Sequence, residues 1–255
     1  MHDLSSKTIL VTGASKGIGA AIVRKLGATG AHVVAHYGSD RAGAEDAARN
    51  IPEGRKHFVQ ADMNDPDAIE NLWDDAAGWR GGIDVFVNNA AIMLWDGGVD
   101  EPLDQWDAVW EQTLQVNVLA PARLLRRAVR DFSANGGGAI VTISSWAAQR
   151  GVSNPATIAY GASKAAIHNA TQAIARSYAR DNILAYVIAP GVVRTRISEE
   201  FARTQGGEDK VSAGLAMGAW VEPEEIGDLV AFLSAGTARN LSGSTIDING
   251  ASYIR

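Results

Sequence analysis

The sequence predicts an α/β fold: a doubly wound parallel sheet of about seven strands flanked by helices, in one domain spanning 1–255. Three observations predict it. Short apolar runs without polar alternation, such as Thr8-Ile-Leu-Val-Thr12 and Ala139-Ile-Val-Thr-Ile143, suit strands buried on both faces of a parallel sheet. Stretches with helical periodicity separate these runs along the chain. The first strand also leads straight into a glycine-rich turn, Thr12-Gly13-Ala14-Ser15-Lys16-Gly17-Ile18-Gly19, and then a helical pattern from Ala20 to Gly30. No repeat, low-complexity tract or composition break marks a second domain.

Composition narrows the functional classes. The formal net charge of -6 disfavours a nucleic-acid partner or an anionic membrane surface. The chain has no cysteine, which excludes disulfides and thiolate metal sites. Met1 to Thr8 is polar, with no apolar segment of the secretory type, and no run approaches the ~18 apolar residues of a spanning helix. A cytoplasmic protein is therefore expected. His2, His32, His36, His57 and His168 lack metal-ligand spacing, so no metal is implied.

Strand, glycine turn and helix N-terminus together make an anion site, because backbone N–H groups and the helix dipole face the turn and glycine lets a pyrophosphate approach. The spacing is G-x-x-x-G-x-G, neither the common dinucleotide fingerprint nor a Walker loop. The second strand, Ala31 to His36, leads into Tyr37-Gly38-Ser39-Asp40-Arg41. Where an NAD site carries an acid for the ribose, this chain has Tyr37. Lys16, Ser39 and Arg41 suit a 2′-phosphate, which favours NADP (NADPH) over NAD; Asp40 is the one acid near enough to reach a ribose instead.

Lys56 to Gln60 reads as a third strand ending at Asp62, whose carboxylate either accepts from an adenine amine or forms a turn. A helix follows from Asp65 to Trp79, opened by the cap-and-proline pair Asp65-Pro66. Ile83 to Val87 is a fourth strand, ending in Asn88-Asn89-Ala90-Ala91. Pro102 to Phe132 reads as one long helix with Asn117 inside it, either a satisfied core amide or a residue that bends the helix and holds a water. The fifth strand ends in Ser144-Ser145-Trp146, at the edge where such sheets present ligand-facing side chains. Tyr160 and Lys164 follow, four apart at the start of a helical run (Ala162 to Ala179), so a phenol and an ammonium share one face. A nearby cation is expected to lower the tyrosine pKa and make it a usable general acid or base.

These motifs, Thr12-Gly13-x-x-x-Gly17-x-Gly19, Asp62, Asn88-Asn89-Ala90, Asn117, Ser144-Ser145, Tyr160-x-x-x-Lys164 and Pro190-Gly191-x-x-x-Thr195, stand in register along essentially the whole chain. In that order they resemble the short-chain dehydrogenase/reductase family in its single-domain form. The resemblance implies a Rossmann sheet and hydride transfer between a nicotinamide cofactor and a carbonyl or alcohol. It implies Tyr160 as general acid/base, Lys164 as the cation beside it, Ser145 on the substrate carbonyl oxygen, and Asn117 as anchor of a proton-relay water. It implies cofactor contacts at Thr12, Gly13, Ser15, Lys16, Gly17, Ile18, Gly19, Tyr37, Ser39, Arg41, Asp62, Met63, Asn89, Ala90, Tyr160, Lys164, Pro190, Gly191, Val193 and Thr195. Three features depart from the family pattern. Ala91 replaces a glycine, the Ser145-to-Tyr160 gap is long and leaves Ser144 as the other candidate serine, and the second strand lacks the NAD-type acid.

Ile183 to Ile188 is the sixth strand. Arg194 to Ala219, with weak periodicity and Gly206-Gly207 in its middle, resembles a substrate lid at about 194–220. Glu222-Pro223-Glu224-Glu225 opens a further helix and Ser242 to Ile248 is the last strand. Trp95 and Trp146, with Trp220 as a third candidate, make the expected substrate pocket aromatic and favour a bulky or aryl ketone. Arg123, Arg126, Arg127 and Arg130 form a basic patch. It suits the acidic carrier of a 3-oxoacyl-[acyl-carrier-protein] reductase, a subunit interface, or solvent. A homodimer or homotetramer is implied, joined through the long helices around Asn117 and Lys164. A non-catalytic NAD(P)-binding sensor is the alternative outside enzymes.

Overall fold

The computed structural model describes residues 2–255; Met1, the start of the polar N-terminal stretch, lies outside them. The chain alternates strands and helices throughout: β1 (Thr8–Val11), α1 (Gly17–Ala28), β2 (His32–Tyr37), α2 (Arg41–Ala47), β3 (Lys56–Gln60), α3 (Pro66–Arg80), β4 (Val85–Asn88), α4 (Leu103–Leu114) and α5 (Ala120–Ala134). It continues with β5 (Gly138–Ile143), α6 (Ala147–Arg150), α7 (Ile158–Ser177), β6 (Ile183–Pro190), α8 (Arg196–Thr204), α9 (Glu208–Ala213), α10 (Pro223–Ser234) and β7 (Thr245–Ile248). The seven strands form one parallel sheet in the order β3-β2-β1-β4-β5-β6-β7. Strand order reverses between β1 and β4, so the carboxyl ends of these strands splay helices apart and open a crevice.

Successive residues of a strand point to opposite faces, and this splits the core in two. Ile9 and Val11 of β1 and Val85 and Val87 of β4 pack on one side with Ile22, Leu26, Ile226 and Val230 of α1 and α10. Leu10, Phe86 and Ile140 pack on the other with Trp73 of α3 and Leu124 and Phe132 of α5. Each such side chain, fully buried, contributes about 1.5–3 kcal/mol.

Local signals set the helix ends. Asp65 caps α3 by accepting from the backbone N–H of Asp67 and Ala68, Pro66 fills the first turn, and Gly81 ends the helix at φ 79°. The long helix expected over Pro102 to Phe132 is instead α4 and α5 joined by one π-helical turn, Gln115–Leu119, centred on Asn117. Helix α2 has no counterpart in the expected elements. It is short and its buried face is alanine only, which leaves no periodic signal. The expected lid is built from two helices, α8 and α9, separated by Gly206 and Gly207 at φ 94° and 103°. No helix among the described residues is long and apolar enough to cross a membrane.

Candidate active site

The crevice at the strand reversal is a cleft of about 590 Å³. One end is floored by Gly13, Lys16, Gly17, Ile18, Gly19 and Ser39, with Thr195 beside Gly17, the middle by Asp62, Met63, Asn89 and Ala90, and the far end by Ser144, Tyr160 and Lys164. These are sequence-predicted residues from seven separate stretches, brought together by the topology.

The glycine turn fits a diphosphate. Gly13 and Gly17 adopt φ 69° and 54°, which only glycine takes without strain. A methyl on Gly19 would lie 2.0 Å from the Gly13 carbonyl oxygen and 2.7 Å from Asn89 Nδ2, so the turn closes on itself only with glycine there. Asn89 holds it: its Nδ2 donates to the carbonyls of Thr12 at 2.8 Å and Gly13 at 3.2 Å. No side chain caps the N-terminus of α1 and its first turn carries no acid, so its N–H groups are left for an anion. Lys16 is exposed beside it and is in no ion pair among the described residues.

At the adenosine end the expected residues divide. Lys16 and Ser39 line the cleft, whereas Tyr37 is buried and Arg41 pairs with Glu45 at 2.8 Å, both off the lining. Arg41 starts α2, where an i,i+4 partner is at hand, and this draws its guanidinium away from the cleft. Asp40, the acid that could have reached a ribose, caps α2 and accepts from Gly43 N–H at 2.9 Å. Ser15 donates to the Asp40 carbonyl at 2.7 Å and also lies off the lining. Asp62 accepts from the backbone N–H and side-chain amide of Asn64, both at 2.9 Å; these bonds hold its carboxyl below the usual range. It therefore shapes a turn while still facing the cleft.

At the other end, α7 begins at Ile158, four residues earlier than expected, so Tyr160 and Lys164 lie on one helix a turn apart. Asn154 accepts from Ala156 N–H at 3.0 Å and starts a tight turn at Pro155–Thr157, which takes up the long gap after Ser145. The two candidate serines separate. Ser144 Oγ donates to the Lys164 carbonyl at 3.3 Å, while Ser145 Oγ accepts from Ala147 N–H at 3.1 Å and lies near enough to the Tyr160 phenol to lower its pKa. Asn117 accepts from Ile92 N–H at 2.8 Å and donates to Ile92 O at 2.8 Å and Ser163 Oγ at 3.0 Å. Ser163 in turn donates to the Tyr160 carbonyl at 2.7 Å. The Asn117 amide is thus a brace between the π turn, the β4 exit and the Tyr160 turn. Both its side-chain N–H groups have protein acceptors.

The electrostatics correct one expectation. Burial pushes the Tyr160 phenol above its ordinary value, partly offset by the Ser145 hydroxyl. Burial also pushes Lys164 down to about 8. The Lys164 ammonium donates to Ile143 O at 2.9 Å and stands 5.8 Å from the Tyr160 ring centroid. It is aimed at a carbonyl rather than at the phenol, so desolvation outweighs its pull on the tyrosine. Tyr160 is accordingly a proton donor at neutral pH.

The remaining expected residues lie behind the lining of the cleft. Pro190 ends β6, Gly191 packs against Asn249 and Trp146, and Val193 is buried in a parallel bridge to Val221; none lines the cleft. Trp146 lies under the Arg150 guanidinium, 4.4 Å from it. Trp220 is buried beneath Arg194 as core. Trp95 stacks on Phe201 of α8 with ring centroids 6.2 Å apart and planes at 21°. Phe201 is one turn beyond Ile197, which lines the cleft, and Trp95 is three residues beyond Ile92, which lines the opposite wall. Sequence reading missed Phe201, because only the packing of α8 pairs it with Trp95.

Residues 13–251 match a family model described as Enoyl-(Acyl carrier protein) reductase. The chain is 34% identical over 251 residues to 3beta-hydroxysteroid dehydrogenase 1 of Eggerthella lenta, covering 97% of this chain and 94% of that protein. It is 33% identical over 253 residues to Cis-4-hydroxycyclohexanecarboxylate dehydrogenase of Sinomonas cyclohexanicum, covering 96% of each. The crystal structure of a short-chain type dehydrogenase/reductase from Mycobacterium marinum superposes with a TM-score of 0.88 at 28% identity, over 99% of this chain and 98% of that one.

Proposed function

Since this chain belongs to the short-chain dehydrogenase/reductase family and is an NAD(P)-dependent oxidoreductase, we propose that it interconverts a ring-bearing ketone and its secondary alcohol with NADP as cofactor, Tyr160 passing the proton. The nicotinamide, when bound, supplies or accepts the hydride. The observation that carries this reading is Tyr160 and buried Lys164 one turn apart on α7 at the cleft end, with the Ser145 hydroxyl near the phenol. In reduction Tyr160 O–H gives its proton to the carbonyl oxygen as that oxygen gains charge. Ser145 donates a hydrogen bond to the same oxygen. In oxidation the proton returns to Tyr160. Gly13, Gly17 and Gly19, with the open end of α1, hold the diphosphate, and Asn89 keeps the turn in shape.

The substrate class follows from the walls. Ile92, Ile197 and the stacked Trp95–Phe201 pair favour a flat apolar ring near Tyr160. The names of the two relatives, a hydroxysteroid and a hydroxycyclohexane dehydrogenase, support a ring alcohol. The test is NADPH oxidation over a panel of cyclic, aryl and short open-chain ketones together with 3-oxoacyl thioesters. Preference for the cyclic and aryl members is expected; preference for the thioesters would favour the carrier-protein reading.

The choice of NADP rests on Tyr37 in place of the acid, on Asp40 spent as a cap, and on Lys16 free at the cleft. Lys16→Ala is expected to weaken NADPH roughly tenfold and NADH much less, since a cation–phosphate bond is worth about 1.5–3 kcal/mol. Titrating both nucleotides against both proteins checks this, and equal losses would remove Lys16 from 2′-phosphate recognition.

The assembly reading is a two-fold dimer through the α4–α5 rod. Asp100, Glu101, Asp104, Asp107 and Glu111 are exposed along its first half, and Arg123, Arg126 and Arg130 along its second. None of these is in an ion pair among the described residues, whereas Arg127 is held by Glu70 and Asp74. An antiparallel second copy sets acid against base twice, and covers Leu103 and Leu119, which are 74% and 53% exposed. Light scattering is expected to give at least twice the chain mass, and a reversed charge at Arg126 to lower it. A single-chain mass for the unaltered protein would contradict this.

A further inference from the structure

His36 is a buried titratable group that the mechanism above leaves unused. It is 2% exposed, near the carboxyl end of β2, and it lines the cleft. Both ring nitrogens are occupied. Gly13 N–H donates to Nδ1 at 3.1 Å, and Nε2 lies 3.1 Å from the Ala61 carbonyl. A carbonyl only accepts and an N–H only donates, so the proton is on Nε2 and Nδ1 is the bare acceptor. The ring is therefore neutral, in agreement with burial pushing its pKa down to about 4.

The main chain repeats the connection. Ala14 N–H donates to His36 O at 2.8 Å, and Ala61 N–H donates to Tyr37 O at 3.1 Å. The carboxyl ends of β1, β2 and β3 are thus tied together at His36 and Tyr37. Gly13 stands on the phosphate side of that tie, and Ala61, next to Asp62, on the adenosine side. Gly13 sits in the left-handed region at φ 69°; Asn89 holds the carbonyl side of this turn and the His36 ring holds its N–H. An aliphatic residue here would remove the partners of Gly13 N–H and Ala61 O.

We propose that His36 is a positioning residue for the nucleotide: its neutral imidazole, bonded to Gly13 N–H and Ala61 O, fixes the glycine turn and the end of β3 at the separation the dinucleotide spans. The role rests on reading this cleft as the dinucleotide site. Its effect falls on cofactor affinity and leaves the chemical step alone, since Tyr160, Ser145 and Lys164 lie at the other end.

The test compares three substitutions in the full chain. His36→Phe keeps a flat ring and removes both bonds. His36→Asn keeps an acceptor near the Nδ1 position. His36→Gln reaches toward Ala61 but offers Gly13 no acceptor. NADPH dissociation constants are read from quenching of tryptophan fluorescence, beside melting temperature and kcat at saturating NADPH. The phenylalanine variant is expected to bind NADPH roughly tenfold more weakly, with kcat within about twofold, and the asparagine variant to recover most of the affinity. If the phenylalanine variant does not fold, the glutamine variant is expected to bind more weakly than the asparagine variant. Unchanged affinity in the phenylalanine variant, equal affinity in the asparagine and glutamine variants, or a kcat that falls in step with affinity would overturn the role of His36. A wild-type chain that binds neither NADPH nor NADH would overturn the dinucleotide reading itself.

Discussion

Tyr160→Phe is expected to lower ketone reduction by about 10²–10⁴-fold while NADPH binds as before. Phenylalanine keeps the ring that packs at the start of α7 and removes only the hydroxyl beside Ser145. The substrate oxygen then gains charge with no proton donor beside it, and Ser145 alone stabilises it. Because the phenol is held above its ordinary pKa, the unaltered protein keeps its proton donor over the whole working range, whereas the variant has none at any pH. Steady-state rates and nucleotide titration on the same preparation check this. Turnover within a few-fold of wild type would show that the proton comes from elsewhere.

Lys164 sets the second large effect, a loss of activity in alkali. Its folded-state pKa is depressed to about 8 by burial, so the ammonium is present below that pH and is lost above it. Tyr160 shifts the other way and stays protonated, which leaves Lys164 as the group that titrates. The kcat/KM for reduction, which reports the free enzyme, is expected to be level at neutral pH. It should then fall about tenfold per pH unit beyond roughly pH 8. Lys164→Met should lose most of the turnover and this alkaline limb together. A profile level to pH 10 in the unaltered protein would show that the lysine charge is not needed.

The parts of this site legible in the sequence are those whose spacing is local. The glycine turn, the Tyr160-x-x-x-Lys164 pair and the strand-end Ser144-Ser145 each sit inside one element or one connection, so a few residues define them. The seven strands were legible for the same reason, as short apolar runs buried on both faces. Contacts made only after folding were not legible. Arg41 reads as a phosphate ligand until α2 places Glu45 one turn away. The direction of the Tyr160 shift depends on desolvation, which no spacing reports. Asn117 showed as a polar residue in an apolar helix, but its π turn and its bonds to Ile92 and Ser163 come from the packing of α7 on the rod. Phe201 and His36 carried no motif at all, and their partners are far away in the chain.

The most direct measurement is the fate of the hydride. The enzyme would be incubated with a cyclic ketone and NADPH deuterated at nicotinamide C4, each of the two C4 epimers in turn, and the alcohol analysed by mass spectrometry and NMR. Hydride transfer at this site predicts that one epimer delivers its deuterium to the carbinol carbon and the other delivers none, with Tyr160→Phe suppressing the labelled product. An alcohol free of deuterium from both epimers, or one labelled equally by both, would contradict the account.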